Sequence, residues 1–134
     1  MTCSIKGLIL CFFILAISEN TLSQKRLEMR ATVGGFKSDS VSKFRIIGSA
    51  GMSGRFKVTD DHWEAARVDS FSVMILRDTA IIFRFRNVGM LFQKELKSAF
   101  QSLIPQDRVL FYRIYATDPY LRNRLLDPLE YVIQ

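Results

Sequence analysis

Arg67-Val-Asp-Ser-Phe-Ser-Val-Met-Ile-Leu76, followed after Arg77-Asp78 by Thr79-Ala-Ile-Ile-Phe-Arg-Phe-Arg86, decides the fold class. In the first segment Phe71, Val73 and Ile75 alternate with Ser70, Ser72 and Met74; in the second, Ile81, Phe83 and Phe85 alternate with Ile82, Arg84 and Arg86. Successive side chains leave a strand on opposite faces, so a period of two marks a strand with one buried face. Val68 breaks the alternation by one position, which predicts a bulge near Asp69.

The same period extends outward in both directions. Met29–Phe36 reads as a strand ending at Gly34-Gly35, where the chain can turn or admit another backbone. Lys43–Gly48 and Arg55–Val58 read as short strands, Leu129–Ile133 as the last one. Arg108–Ala116 is apolar or aromatic on both faces, which predicts a central strand. Only Lys94–Leu103 changes period: Leu96, Ala99, Phe100 and Leu103 recur as one stripe of a short helix, closed by Pro105. About seven short strands and one helix predict an all-β sandwich with a helical crossover.

Residues 1–23 follow a different logic. Fourteen of the 23 are apolar, and Lys6 precedes the unbroken run from Gly7 to Ile17. As a helix this run spans about 16 Å, roughly half the hydrocarbon core of a bilayer. That length suits the apolar core of a secretory signal peptide rather than an anchor. Small residues at −3 and −1 place cleavage after Ser23 or after Ser18. The expected organisation is a signal peptide over 1–23 and one domain over 24–134, periplasmic or secreted, with no membrane span after cleavage. Both cysteines, Cys3 and Cys11, leave with the signal. The remaining chain then has no disulfide, thiol nucleophile or thiolate metal site, and its core must stand on packing alone.

Two constellations invite chemistry. Thr59-Asp-Asp-His-Trp-Glu64 holds the single histidine, His62, beside Asp60, Asp61 and Glu64. One histidine without a second nitrogen or sulfur ligand gives a transition metal little to hold, and the spacing lacks the alternating oxygens and glycine of a calcium loop. A solvated turn anchored by Trp63 is the better reading. No Gly-x-Ser-x-Gly elbow is present, and any triad would have to recruit His62. The glycines Gly34-Gly35 and Gly48, Gly51 and Gly54 lack the following helix with Lys and Ser or Thr that phosphate cradles use. They read as tight β-turns. No catalytic residue, cofactor or metal is expected.

Net charge is +6, with twelve arginines against seven lysines. Arg84 and Arg86 share one face of the clearest strand, and Arg77, Arg113, Arg122 and Arg124 are open candidates to join them. A basic sheet face with aromatic neighbours also suits nucleic acid, but export removes the chain from that partner. Arginine equally suits bidentate pairing with carboxylates of a partner protein, so Arg84 and Arg86 are the candidate partner-binding residues.

In order and spacing, the chain resembles the C-terminal periplasmic domain of the GldM family of gliding-motility and type IX secretion proteins of Bacteroidetes. The resemblance rests on Ala31-Thr-Val-Gly-Gly35 leading into Ser40-Val-Ser-Lys43 and Gly51-Met52, and on Val68-Asp-Ser-Phe-Ser-Val73. It continues through the helix, Asp107-Arg-Val-Leu-Phe111, Ile114-Tyr-Ala116, an arginine-rich turn and Leu126-Asp-Pro-Leu129. It covers residues 29–134 and implies an immunoglobulin-like β-sandwich without catalytic residues, used as an assembly module. In the family, a membrane helix and several periplasmic domains precede this one, and the terminal domain contacts ring components on the outer-membrane side. An exported, stand-alone version is expected here, with envelope proteins, or a second copy of the chain, as partners. The alternative is a secreted sandwich that binds carbohydrate or peptidoglycan through Tyr112, Tyr115, Tyr120 and arginines.

Overall fold

One long strand organises the sheet. In the computed structural model, which describes residues 27–35 and 39–134, β4 runs from His62 to Arg77. Its first five residues pair antiparallel with β3 (Met52–Thr59), which pairs in turn with β1 (Met29–Val33). From Arg67 onward it pairs with β6 (Arg108–Thr117), and from Ser70 onward also with β5 (Ala80–Val88), antiparallel to both. Beyond β6 come β7 (Asn123–Leu126) and β8 (Leu129–Ile133), and β8 carries β2 (Asp39–Val41) in parallel. The fold is all-β: a curled mixed sheet of eight strands among the described residues. Two very short strands, β2 and β7, bring the number to eight. The segment 1–23, with both cysteines and both cleavage positions, lies outside the described residues, as does Phe36.

The alternation in β4 holds. Phe71, Val73 and Ile75 are buried, and the register with β6 shifts between Val68 and Ser70, placing the expected bulge at Asp69. On β5, Phe83 and Phe85 pack against the core while Arg84 and Arg86 point outward. Its first residues depart from the expectation. The register with β4 steps from Ile75↔Phe83 to Leu76↔Ile81, so Ile82 is an extra residue and lines a cavity with Phe83 instead of sharing the face of Arg84. Asp78 and Thr79 form the two-residue turn before it with φ of 56° and 93°. Positive φ at both central positions matches the strand twist of a tight hairpin.

Lys43–Gly48 is a correction. The predicted strand is a helix, α1, of six residues, and the chain has two helices among those described rather than one. Phe44, Ile46 and Gly48 alternate as in a strand, but six residues carry too little periodicity to decide, and tertiary contacts do. Ile46 is buried in the core, Phe44 stays exposed, and Lys43 Nζ donates to the Gln101 carbonyl at 2.6 Å. That bond ties α1 to the second helix, α2 (Lys94–Gln101), which buries Leu96 and Phe100 as its stripe predicts.

The core is a chain of aromatic rings. Phe92 meets Phe100 edge-on at 5.1 Å and lies parallel to Phe111 at 6.2 Å, while Phe111 meets Tyr131 edge-on at 5.8 Å. Such offset and T-shaped pairs add to the burial term because ring edges are positive and faces negative. Tyr131 then closes the curl: its hydroxyl accepts the Val33 N–H at 3.2 Å, joining β8 to β1. Burial pushes the pKa of that phenol up, and the Val33 N–H partly opposes the shift.

The glycines of the middle segment are also corrected. Gly34 and Gly35 do form a turn, with φ of 62° and 80°. Gly48 instead ends α1, Gly54 sits inside β3 opposite Ala66, and Gly51 bridges to Leu91. At Gly51 the reason is close approach: an added Cβ would lie 2.8 Å from Leu91 Cα and 2.9 Å from the Met90 carbonyl carbon.

Candidate functional site

Arg84 and Arg86 lie on the outer face of the sheet, opposite Met74 and Ser72 of β4. Directly opposite residues in an antiparallel pair present their side chains on the same side, so this face is laid out by register. Across β4, Ser72 also faces Tyr112 and Ser70 faces Tyr115. Between these pairs β4 has one residue, Phe71, and β6 has two, Arg113 and Ile114; the extra residue makes a second bulge.

Arg113 carries that bulge. Its φ is 48°, in the left-handed region that L side chains enter at a cost, while the next residue, Ile114, is fully buried. Straight alternation would send residue 113 to the face opposite Tyr112, that of the core. The bulge keeps its guanidinium outside and returns Ile114 to the interior.

The result is a polar groove of about 430 Å³ lined by Asp69, Ser70, Ser72, Arg86, Arg113, Tyr115 and Asn123. Asp69 is the acidic member, and both of its oxygens are engaged: Arg67 Nε donates to one at 2.9 Å and Thr117 Oγ1 to the other at 2.6 Å. Among the described residues no carboxylate pairs with Arg84, Arg86 or Arg113, although the Arg113 guanidinium lies 6.0 Å from the Tyr112 ring centre. The face therefore keeps an uncompensated positive field.

The other arginines that were open candidates are structural. Arg77 makes a two-point pair with Asp107, Nε to Oδ1 at 2.9 Å and Nη2 to Oδ2 at 2.8 Å. The Arg77 guanidinium holds the Asp107 carboxyl below the usual carboxylate range, against the opposing effect of burial and with help from the Ile104 N–H. Arg122 and Arg124 converge on the fully buried Asp118 at 2.9 and 3.6 Å. Burial opposes ionisation of Asp118, yet the Arg122 N–H and guanidinium and the Tyr120 N–H outweigh it and lower its pKa.

His62 opens β4 after a two-residue turn, Asp60-Asp61, and is mostly exposed. Its Nε2 lies 3.2 Å from Glu64 Oε1, and among the described residues no serine or aspartate reaches it. Asp60 pairs with Lys57 at 3.2 Å. Trp63 is half-buried beneath Arg30, whose guanidinium sits 4.6 Å from its ring centre. Of the three tyrosines suggested for glycan binding, Tyr115 lines the groove, while Tyr120 lies outside it and packs against Arg122 at 5.3 Å. Sequence reasoning missed Ser70, Ser72, Asp69 and Asn123 as groove residues, because only the register of four strands, β5, β4, β6 and β7, brings them to Arg86. No protein-family model matches the chain, and no curated protein matches it in sequence.

Proposed function

We propose that the chain is an exported, non-enzymatic protein-interaction module, an immunoglobulin-like β-sandwich of the kind that ends the GldM proteins. Its Arg84–Arg86 face docks a carboxylate-bearing surface of a cell-envelope protein. One observation carries the reading. Among the described residues, Arg30, Arg67, Arg77, Arg108, Arg122 and Arg124 each meet a carboxylate, whereas Arg84 and Arg86 stand on one strand face without one. Like charges on one strand face repel, and a partner's carboxylates relieve that repulsion while pairing with the planar guanidinium fork. Arginine is enriched at protein interfaces for the same reason. The passage of β4 between two sets of strands, and the Tyr131–Val33 bond that folds β8 onto β1, support the sandwich reading.

The test is affinity capture with crosslinking, comparing the wild type with the Arg84→Glu/Arg86→Glu variant. An envelope protein crosslinked to β5 by the wild type and lost from the variant supports the proposal. Undiminished capture by a normally folded variant counts against it.

A further inference from the structure

We propose that the groove between β5 and β7 is an oxyanion site, holding a carboxylate or phosphate group between the guanidinium groups of Arg86 and Arg113. The inference rests on the interaction reading of the same face and names the chemistry that reading would use.

Arg86 and Arg113 come from different strands and reach one groove only because β6 bulges at Arg113. A bulge re-aims a side chain, and here the re-aimed residue is a cation held at a φ of 48°. Two planar forks facing one space match a group with two or three terminal oxygens, since each fork donates two parallel N–H bonds. The floor beneath them supplies hydroxyl donors: Ser72 stands opposite Arg86, and Ser70 opposite Tyr115. Among the described residues neither serine hydroxyl has a hydrogen-bond partner in the fold.

Asp69 would repel an anion if its charge were free. It is not, because Arg67 and Thr117 take both oxygens. The groove's unbalanced charge is therefore that of the two arginines. Its volume of about 430 Å³ lies within the range of small-ligand sites. An acidic side chain of a docked protein and a phosphorylated ligand present the same chemistry here.

Isothermal titration of the purified protein with inorganic phosphate, and separately with N-acetylglutamate amide, tests the inference at constant ionic strength in sodium chloride. At least one probe should saturate at one site per chain. Arg86→Ala should weaken that binding about tenfold or more, the loss expected for a charge-assisted pair. Arg113→Gly suits the left-handed backbone, so it removes the guanidinium without straining the bulge and should weaken binding comparably. Arg55→Ala removes the same charge elsewhere and should change affinity less than about twofold. Saturation by N-acetylglutamate amide identifies an acidic side chain as occupant; saturation by phosphate alone identifies a phosphorylated one. Failure of both probes to exceed chloride, or an equal loss in Arg55→Ala, overturns the site. If both probes fail while the Arg84→Glu/Arg86→Glu variant still loses its envelope partner, the groove is refuted and the docking face stands.

Discussion

Gly51→Ala adds one methyl group, and the fold predicts a loss far beyond its size. The new Cβ would sit 2.8 Å from Leu91 Cα and 2.9 Å from the Met90 carbonyl carbon, where no side chain can rotate away. Relief requires the 90–92 segment to move off the start of β3. Two backbone bonds depend on that contact: the Met52 N–H donates to Met90 at 2.8 Å and the Phe92 N–H to Ala50 at 3.0 Å. At about 1 kcal/mol each, these contribute roughly 2 kcal/mol. Phe92 would also shift within the aromatic core, adding about 1 kcal/mol or more from imperfect packing. A total near 3 kcal/mol lowers Tm by about 12–20 °C in a domain of this size. Gly48→Ala is the internal control. An added Cβ there meets nothing within 4 Å, so the loss of unfolded-chain entropy should leave Tm unchanged or raise it. Thermal melts by circular dichroism read both. Equal melting of Gly51→Ala and wild type would refute the close-approach argument.

Phe111→Ala should cost about 3–5 kcal/mol, because a fully buried ring touching Phe71, Phe92, Phe100 and Tyr131 leaves a cavity; denaturant unfolding checks it. Tyr131→Phe removes the acceptor of the Val33 N–H and should cost about 1–2 kcal/mol in the same assay. Asp107 and Asp118 are held below their ordinary pKa, so the stability they contribute is present above about pH 4 and is lost as pH falls through their lower folded values. Asp107→Asn should flatten the acid limb of a stability–pH curve; an unchanged limb would contradict the pairing. His62→Ala should leave Tm and partner capture unchanged, since the ring is exposed and meets Glu64 alone among the described residues.

The strands of the central sheet are legible because one face of each is buried. In β4, moving the register by a single residue would carry Phe71, Val73 and Ile75 to solvent, so the pattern in the chain and the pattern in space must agree. The helix α2 is legible for the same reason at a different period. Lys43–Gly48 is not, because six residues with one buried isoleucine carry too little periodicity to outweigh contact with α2. Asn87 shows a second limit. It is fully buried, its amide donates to Gly89 and Leu91 carbonyls at 3.1 and 2.9 Å, and its Oδ1 accepts the Gln93 N–H at 2.8 Å. Nothing in Arg86-Asn87-Val88 announces a residue that builds the entry to α2, since its partners lie in an irregular loop. Less of the candidate site is legible: the outward placement of Arg84 and Arg86 follows from alternation within β5, whereas Arg113 joins Arg86 in the groove only through a bulge in β6.

The proposed working surface is the arginine face of β4, β5 and β6. Amide chemical-shift mapping of the isotope-labelled protein, titrated with N-acetylglutamate amide and with phosphate, locates the response directly. Saturable shifts should be confined to residues 69–72, 84–88, 112–115 and 123. Shifts that cluster around Trp63 and Arg55, or that spread over every Lys and Arg without saturating, would contradict the proposal.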